Sequence, residues 1–111
     1  MEQRPAVTND PHRTVPARLV TDIDADGAQP GDVEALAIDG TVWGYGFACP
    51  GCGSKSFLAL GGENPEPRWT VTAGDAAQPA GVTLSPSVFH TAARGGCGWH
   101  GWLRAGVFVP C

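Results

Sequence analysis

A chain of 111 residues is long enough for one domain and too short for two with separate cores. Its net charge of −4 counts against a phosphate-binding surface, and no apolar run of about 18 residues is present to span a membrane. No charged-then-apolar leader opens the sequence, so the four cysteines are expected to start reduced, which favours metal over disulfides.

Charge and aromatic content divide at one place. Residues 1–40 contain no aromatic ring of the Phe, Trp or Tyr type and carry a net −5, while residues 41–111 hold all nine such rings and carry +1. The chain therefore reads as an acidic, proline-containing extended arm (1–40) followed by a small β domain (41–111). Within the arm, Pro5, Pro11 and Pro16 are spaced so as to disfavour a long helix over residues 1–19. Asp22, Asp24, Asp26 and Gly27 resemble the first half of a calcium loop, but Val33 falls at its twelfth position and Pro30 at its ninth, so a solvated acidic turn is expected. Residues 33–38 (VEALAI) fit a short strand or a single helical turn, and Asp39-Gly40 is a turn signal.

From Thr41 the pattern is β. Trp43, Tyr45 and Phe47 alternate with Gly44, Gly46 and Ala48, giving an aromatic face and a nearly bare one that another backbone can approach. Residues 49–53 (CPGCG) form a tight turn and residues 56–60 return as the second strand of a hairpin. Further strands are expected at 68–72, at 82–84 with a break at Pro86, at 88–90, at 102–104 and at 107–109. Loops are expected at 61–67, 74–81 and 92–96. The fold class is thus mostly β: a small zinc-ribbon-like antiparallel domain.

A domain of about 70 residues rich in glycine needs a staple, and the cysteines supply one. Cys49-x2-Cys52 followed by Gly53 places two thiolates on one turn, with Gly51 and Gly53 permitting positive φ and leaving N–H groups free to face sulfur. Cys97-x2-His100 repeats the spacing on a second glycine-flanked turn. Together they offer a tetrahedral set suited to Zn²⁺, with Cys111 as an alternative fourth ligand in place of His100. Disulfide pairing or free thiols are the bland alternative. His90, isolated after a β segment, reads as a packed or surface residue. No H-x-E adjoins the ligands and no H-E-x-x-H occurs, so the site reads as closed and the protein as non-enzymatic.

Four stretches taken together resemble a known family. They are Gly44 to Phe47 leading into Cys49-Pro-Gly-Cys-Gly53, Arg68 to Val71, Leu84-Ser-Pro-Ser-Val88, and Cys97-x2-His100-Gly-Trp-Leu-Arg-x-Gly106. Their order and spacing are similar to a family of small uncharacterised zinc-binding proteins frequent in tailed-bacteriophage genomes, some labelled "ammonia monooxygenase". The resemblance covers roughly residues 43–111. It implies zinc ligation by Cys49, Cys52, Cys97 and His100, leaves Cys111 as a further candidate, and implies a phage or prophage origin while supplying no activity to carry over. On that basis the expected function is a structural or accessory virion protein of capsid or tail, made in the host cytoplasm. It would contact other phage proteins or symmetry copies through residues 1–40, with no membrane and no nucleic-acid role. The alternative is an intracellular regulatory zinc ribbon binding nucleic acid or a host protein; only Lys55, Arg68, Arg94 and Arg104 supply positive charge in the folded half.

Overall fold

The alternating and β-branched segments fold as strands throughout. A computed structural model describes residues 13–25, 27–60, 69–91, 93 and 95–111. The expectations for residues 1–12, for the loop at 61–67 with Arg68, and for Asp26, Ala92 and Arg94 lie outside them. The strands are β1 (Val15–Pro16), β2 (Arg18–Leu19), β3 (Asp32–Ile38), β4 (Thr41–Ala48), β5 (Lys55–Ala59), β6 (Thr70–Ala73), β7 (Thr83–Ser85), β8 (Val88–His90), β9 (Trp99–Arg104) and β10 (Val107–Pro110). A 3₁₀ turn at Pro79–Gly81 precedes β7.

Two four-stranded sheets, in the orders β1-β10-β9-β8 and β2-β3-β4-β5, are joined by a two-stranded β6-β7 ribbon. Among the strands, pairing is antiparallel apart from β2 with β3, which run parallel, and Leu60 and Trp69 form an isolated parallel bridge. The fold is therefore mostly β with antiparallel sheets, as the sequence indicates. Residues 33–38 resolve as part of strand β3. Asp39 and Gly40, at φ 52° and 80°, make the tight β3–β4 turn that Asp-Gly signals, and Ala105 and Gly106 do the same between β9 and β10.

The described part of the acidic segment is extended and sewn into both sheets. β1 pairs with β10, and two residues later β2 pairs with β3. Between them Ala17 N–H donates to the Gly106 carbonyl at 2.8 Å and Arg18 N–H to that of Gly31 at 3.0 Å. Val15, Ala17, Ile23 and Val33 are buried with the later residues. The aromatic face of β4 forms the centre of the core: Tyr45 and Phe47 are buried, Phe47 stacks on Phe108 of β10 at 6.1 Å, and Trp99 of β9 meets Phe108 edge-on at 6.0 Å. The Phe47–Phe108 stack ties the two sheets to each other, the Trp99–Phe108 contact braces neighbouring strands of one sheet, and each ring pair contributes about 0.5–1.5 kcal/mol beyond the area it buries. Burial, with Asp75 adding repulsion, pushes the Tyr45 phenol up to about 12, and its hydroxyl donates to the Ala76 carbonyl.

The bare face of β4 meets close neighbours. A Cβ at Gly44 would lie 2.8 Å from the Leu58 carbonyl oxygen, and one at Gly46 would lie 3.2 Å from the Ile23 side chain. Pro86 breaks the β7–β8 stretch. The Ser85–Pro86 bond is cis, and the chain leaves the β6-β7 ribbon there to join the edge of the first sheet as β8. No helix among the described residues is long and apolar enough to cross a membrane.

Candidate active site

The turn after β4 folds as its glycines require. Cys49 N–H donates to the Ser54 carbonyl and Gly53 N–H to that of Cys49, both at 2.8 Å, and Gly53 sits at φ +78°. Gly51 N–H points at Cys49 Sγ from 3.3 Å, the sulfur-directed amide expected of a metal-binding knuckle. Gly51 is needed for a second reason: a Cβ there would lie 2.7 Å from Cys97 Sγ. Without a side chain, the second turn closes on the first, and Cys97 Sγ stands 3.9 Å from Cys49 Sγ. Two thiolates sharing a tetrahedral ion at about 2.3 Å stand about 3.8 Å apart.

The imidazole in this group belongs to His90. Donor atoms of Cys49, Cys52 and His90 all lie within 4.8 Å of one another, and with Cys97 they form a cluster that could hold a metal ion. His90 and Cys49 are buried, whereas Cys52 and Cys97 are exposed. Burial pushes the Cys49 thiol up to about 12. Burial acts the same way on Cys52, but hydrogen bonding from Ser54, Cys97 and Cys49 outweighs it and holds that thiol below its ordinary value.

His100, expected as a ligand, lies elsewhere, and strand geometry says why. Cross-strand partners share a sheet face, and neighbours along a strand alternate. His90 pairs with Trp99 and Phe89 with His100, so His90 faces inward with Trp99 while His100 faces outward with Phe89. Cys111, exposed after β10, is likewise outside the cluster; its N–H donates to the His100 carbonyl at 3.0 Å. Asp22 and Asp24 are exposed, with Asp22 Oδ1 accepting from Asp24 N–H at 2.9 Å, and Lys55 Nζ stands 3.7 Å from Asp24.

On the outer face a second constellation forms that the sequence reading missed. Ser87, just before β8, lies on the same side as Phe89 by the two-residue period. Its Oγ is 2.9 Å from His100 Nε2. The Phe89 ring lies 5.0 Å from the His100 ring, tilted by 34°, and sets one side of the imidazole. The Ser87 carbonyl accepts from the Trp69 indole N–H at 3.2 Å. Of the four serines at 54, 56, 85 and 87, Ser87 is the one whose hydroxyl meets a histidine ring among the described residues. Ser87 is half-buried and His100 exposed, and a cavity of about 290 Å³ opens beside Ser87 between β5 and β8. No local motif marks this serine. The G-x-S-x-G elbow of many hydrolases is absent, and the pairing is created by the β8–β9 register.

A serine hydroxyl in hydrogen-bond contact with an accessible imidazole beside a cavity brings together a nucleophile and a base, two of the parts an acyl-transfer site needs. Residues 19–111 match the family model of BubE, the serine protease of a bacterial ubiquitination-like system. The match covers most of the chain, and the protein belongs to that family. Searches of curated proteins and of solved structures return no significant match. The family shown is BubE, and the match carries neither the phage origin nor the zinc binding that the resemblance implied. The expectation of a non-enzymatic capsid or tail accessory protein located in a virion is overturned, because the family is a bacterial protease family.

Proposed function

We propose that the protein is a serine protease acting on a protein of the ubiquitination-like system, with Ser87 as nucleophile and His100 as general base. The observation that carries this reading is the 2.9 Å contact between Ser87 Oγ and His100 Nε2. In the Nδ1–H tautomer, Nε2 accepts the Ser87 proton as Oγ attacks the scissile carbonyl. The tetrahedral intermediate collapses to an ester on Ser87, and the imidazolium returns its proton to the departing amine. Water, deprotonated by His100, then attacks the ester. A second proton transfer restores Ser87 and releases the carboxylate.

Among the described residues no carboxylate hydrogen-bonds the His100 ring, so the imidazole is held by the Phe89 ring and by the β8–β9 ladder. Support for that ladder is the second part of the proposal. His90 lies three residues after Ser87 and Cys97 three residues before His100, so one ion bound by Cys49, Cys52, Cys97 and His90 anchors both strands of the pair. Three thiolates and one imidazole suit Zn²⁺, which fixes geometry without redox chemistry of its own. With all four positions filled by protein, the ion is structural.

The test uses purified protein components of the ubiquitination-like system as substrates. Ser87→Ala and His100→Ala should each lower cleavage by at least about 10³-fold while leaving metal content unchanged. Retention of wild-type cleavage by Ser87→Ala would refute the assignment.

A further inference from the structure

The cavity beside Ser87 has a composition that selects among substrates. At about 290 Å³ it falls at the bottom of the range for small-molecule sites, roughly 300–1,000 Å³, and is suited to one or two amino-acid side chains. Its walls come mainly from two sheet edges: β5 contributes Phe57 and Leu58, β8 contributes Val88, Phe89 and His90, the imidazole of the cysteine cluster, and Phe47 of β4 and Trp69 also line it. None of the described lining residues is Asp, Glu, Lys or Arg, so a charged substrate side chain would enter without a counter-ion and lose its hydration. Phe57 and Phe89 are 37 % and 54 % exposed, and Trp43 extends the apolar surface by contacting Phe57 at 5.4 Å. Because β8 is the edge strand of its sheet, a peptide running beside it can add main-chain hydrogen bonds as an extra strand.

Resting on the protease reading above, we infer that this cavity is the specificity pocket and takes a bulky apolar side chain adjacent to the scissile bond of an extended peptide. Ser87 is itself part of the cavity wall, so a side chain seated there brings its own peptide bond to the nucleophile. Phe57 is the specificity-determining residue on β5, and Phe89 serves twice, as pocket wall and as the face against which His100 rests.

The experiment profiles the full-length protein against a peptide library randomised on both sides of the cleavage point. Wild type should prefer Leu, Met or Phe at one position flanking the scissile bond by tenfold or more over Asp and Lys. Phe57→Asp should lower kcat/KM for those apolar peptides by at least tenfold, with Lys- and Arg-containing peptides rising in rank. A flat profile, a preference for a charged residue, or an unchanged profile in Phe57→Asp would overturn the inference. The wild-type profile decides the matter even where the variant folds poorly. Labelling of wild-type Ser87 by a small fluorophosphonate, which needs no side-chain pocket, tests the nucleophile separately. Labelling with no apolar preference sinks the pocket, and absence of labelling sinks the protease reading beneath it.

Discussion

At the residue scale the two histidines are predicted to have separable roles. His100→Ala should remove catalysis and leave metal stoichiometry at the wild-type value, because its ring faces Ser87 and Phe89 on the outer side of the sheet. His90→Ala should lower metal affinity by tenfold or more, since it deletes the buried imidazole of the cluster. Elemental analysis of both variants beside a cleavage assay checks the pair. The cysteine turn was legible in the sequence because its spacing is local: two cysteines three positions apart on a glycine turn declare themselves without knowledge of the fold. The choice between His90 and His100 was not legible. It depends on which strand residue stands opposite which, and a shift of one residue in the β8–β9 register exchanges their faces. Ser87 was hidden for the same reason, its partner being 13 residues away on the neighbouring strand.

At the element scale the glycine at position 51 governs how closely the two turns approach. Gly51→Ala inserts a Cβ 2.7 Å from Cys97 Sγ, so one turn must retreat. Metal affinity should fall by about tenfold or more, measured by competition with a chromogenic chelator, while the hairpin itself persists. Asp32 governs the parallel pairing of β2 with β3. Arg18 binds both its carboxylate oxygens at 2.9 Å, and Gln29 N–H adds a third contact at 2.8 Å. The bond from Arg18 holds the Asp32 carboxyl below its usual range despite burial. A carboxyl with a lowered native pKa binds fewer protons folded than unfolded, so its stabilisation is present above the unfolded value near 4 and fades as pH falls through the native one. Asp32→Asn should therefore melt below wild type at pH 7, and the gap should narrow in scans below about pH 4. Most strands were legible from alternation. What the sequence could not disclose is that Pro86 divides two strands between different sheets, or that residues 15–33 supply Val15, Ala17, Ile23 and Val33 to the core. Small apolar residues scattered among acidic ones carry little local signal, and their burial is decided by partners far along the chain.

At the scale of the whole molecule, one ion at the cluster would anchor the strands next to both members of the proposed Ser87–His100 pair. Removing it with a strong chelator should lower the melting temperature by more than about 10 °C, given that structural metal sites contribute several kcal/mol and each kcal/mol moves a domain of this size by roughly 4–8 °C. Cleavage should be lost in parallel and return on adding Zn²⁺. The expected virion role rested on a resemblance confined to residues 43–111, whereas the family match extends back to residue 19 and takes in all of β3 with Asp32. Covalent trapping reports directly on whether Ser87 is the nucleophile. Incubation of the intact protein with a fluorophosphonate, followed by peptide mapping, should give one stoichiometric adduct on Ser87 that disappears in His100→Ala. Modification of a different serine, or no modification of a folded, metal-loaded protein, would contradict it.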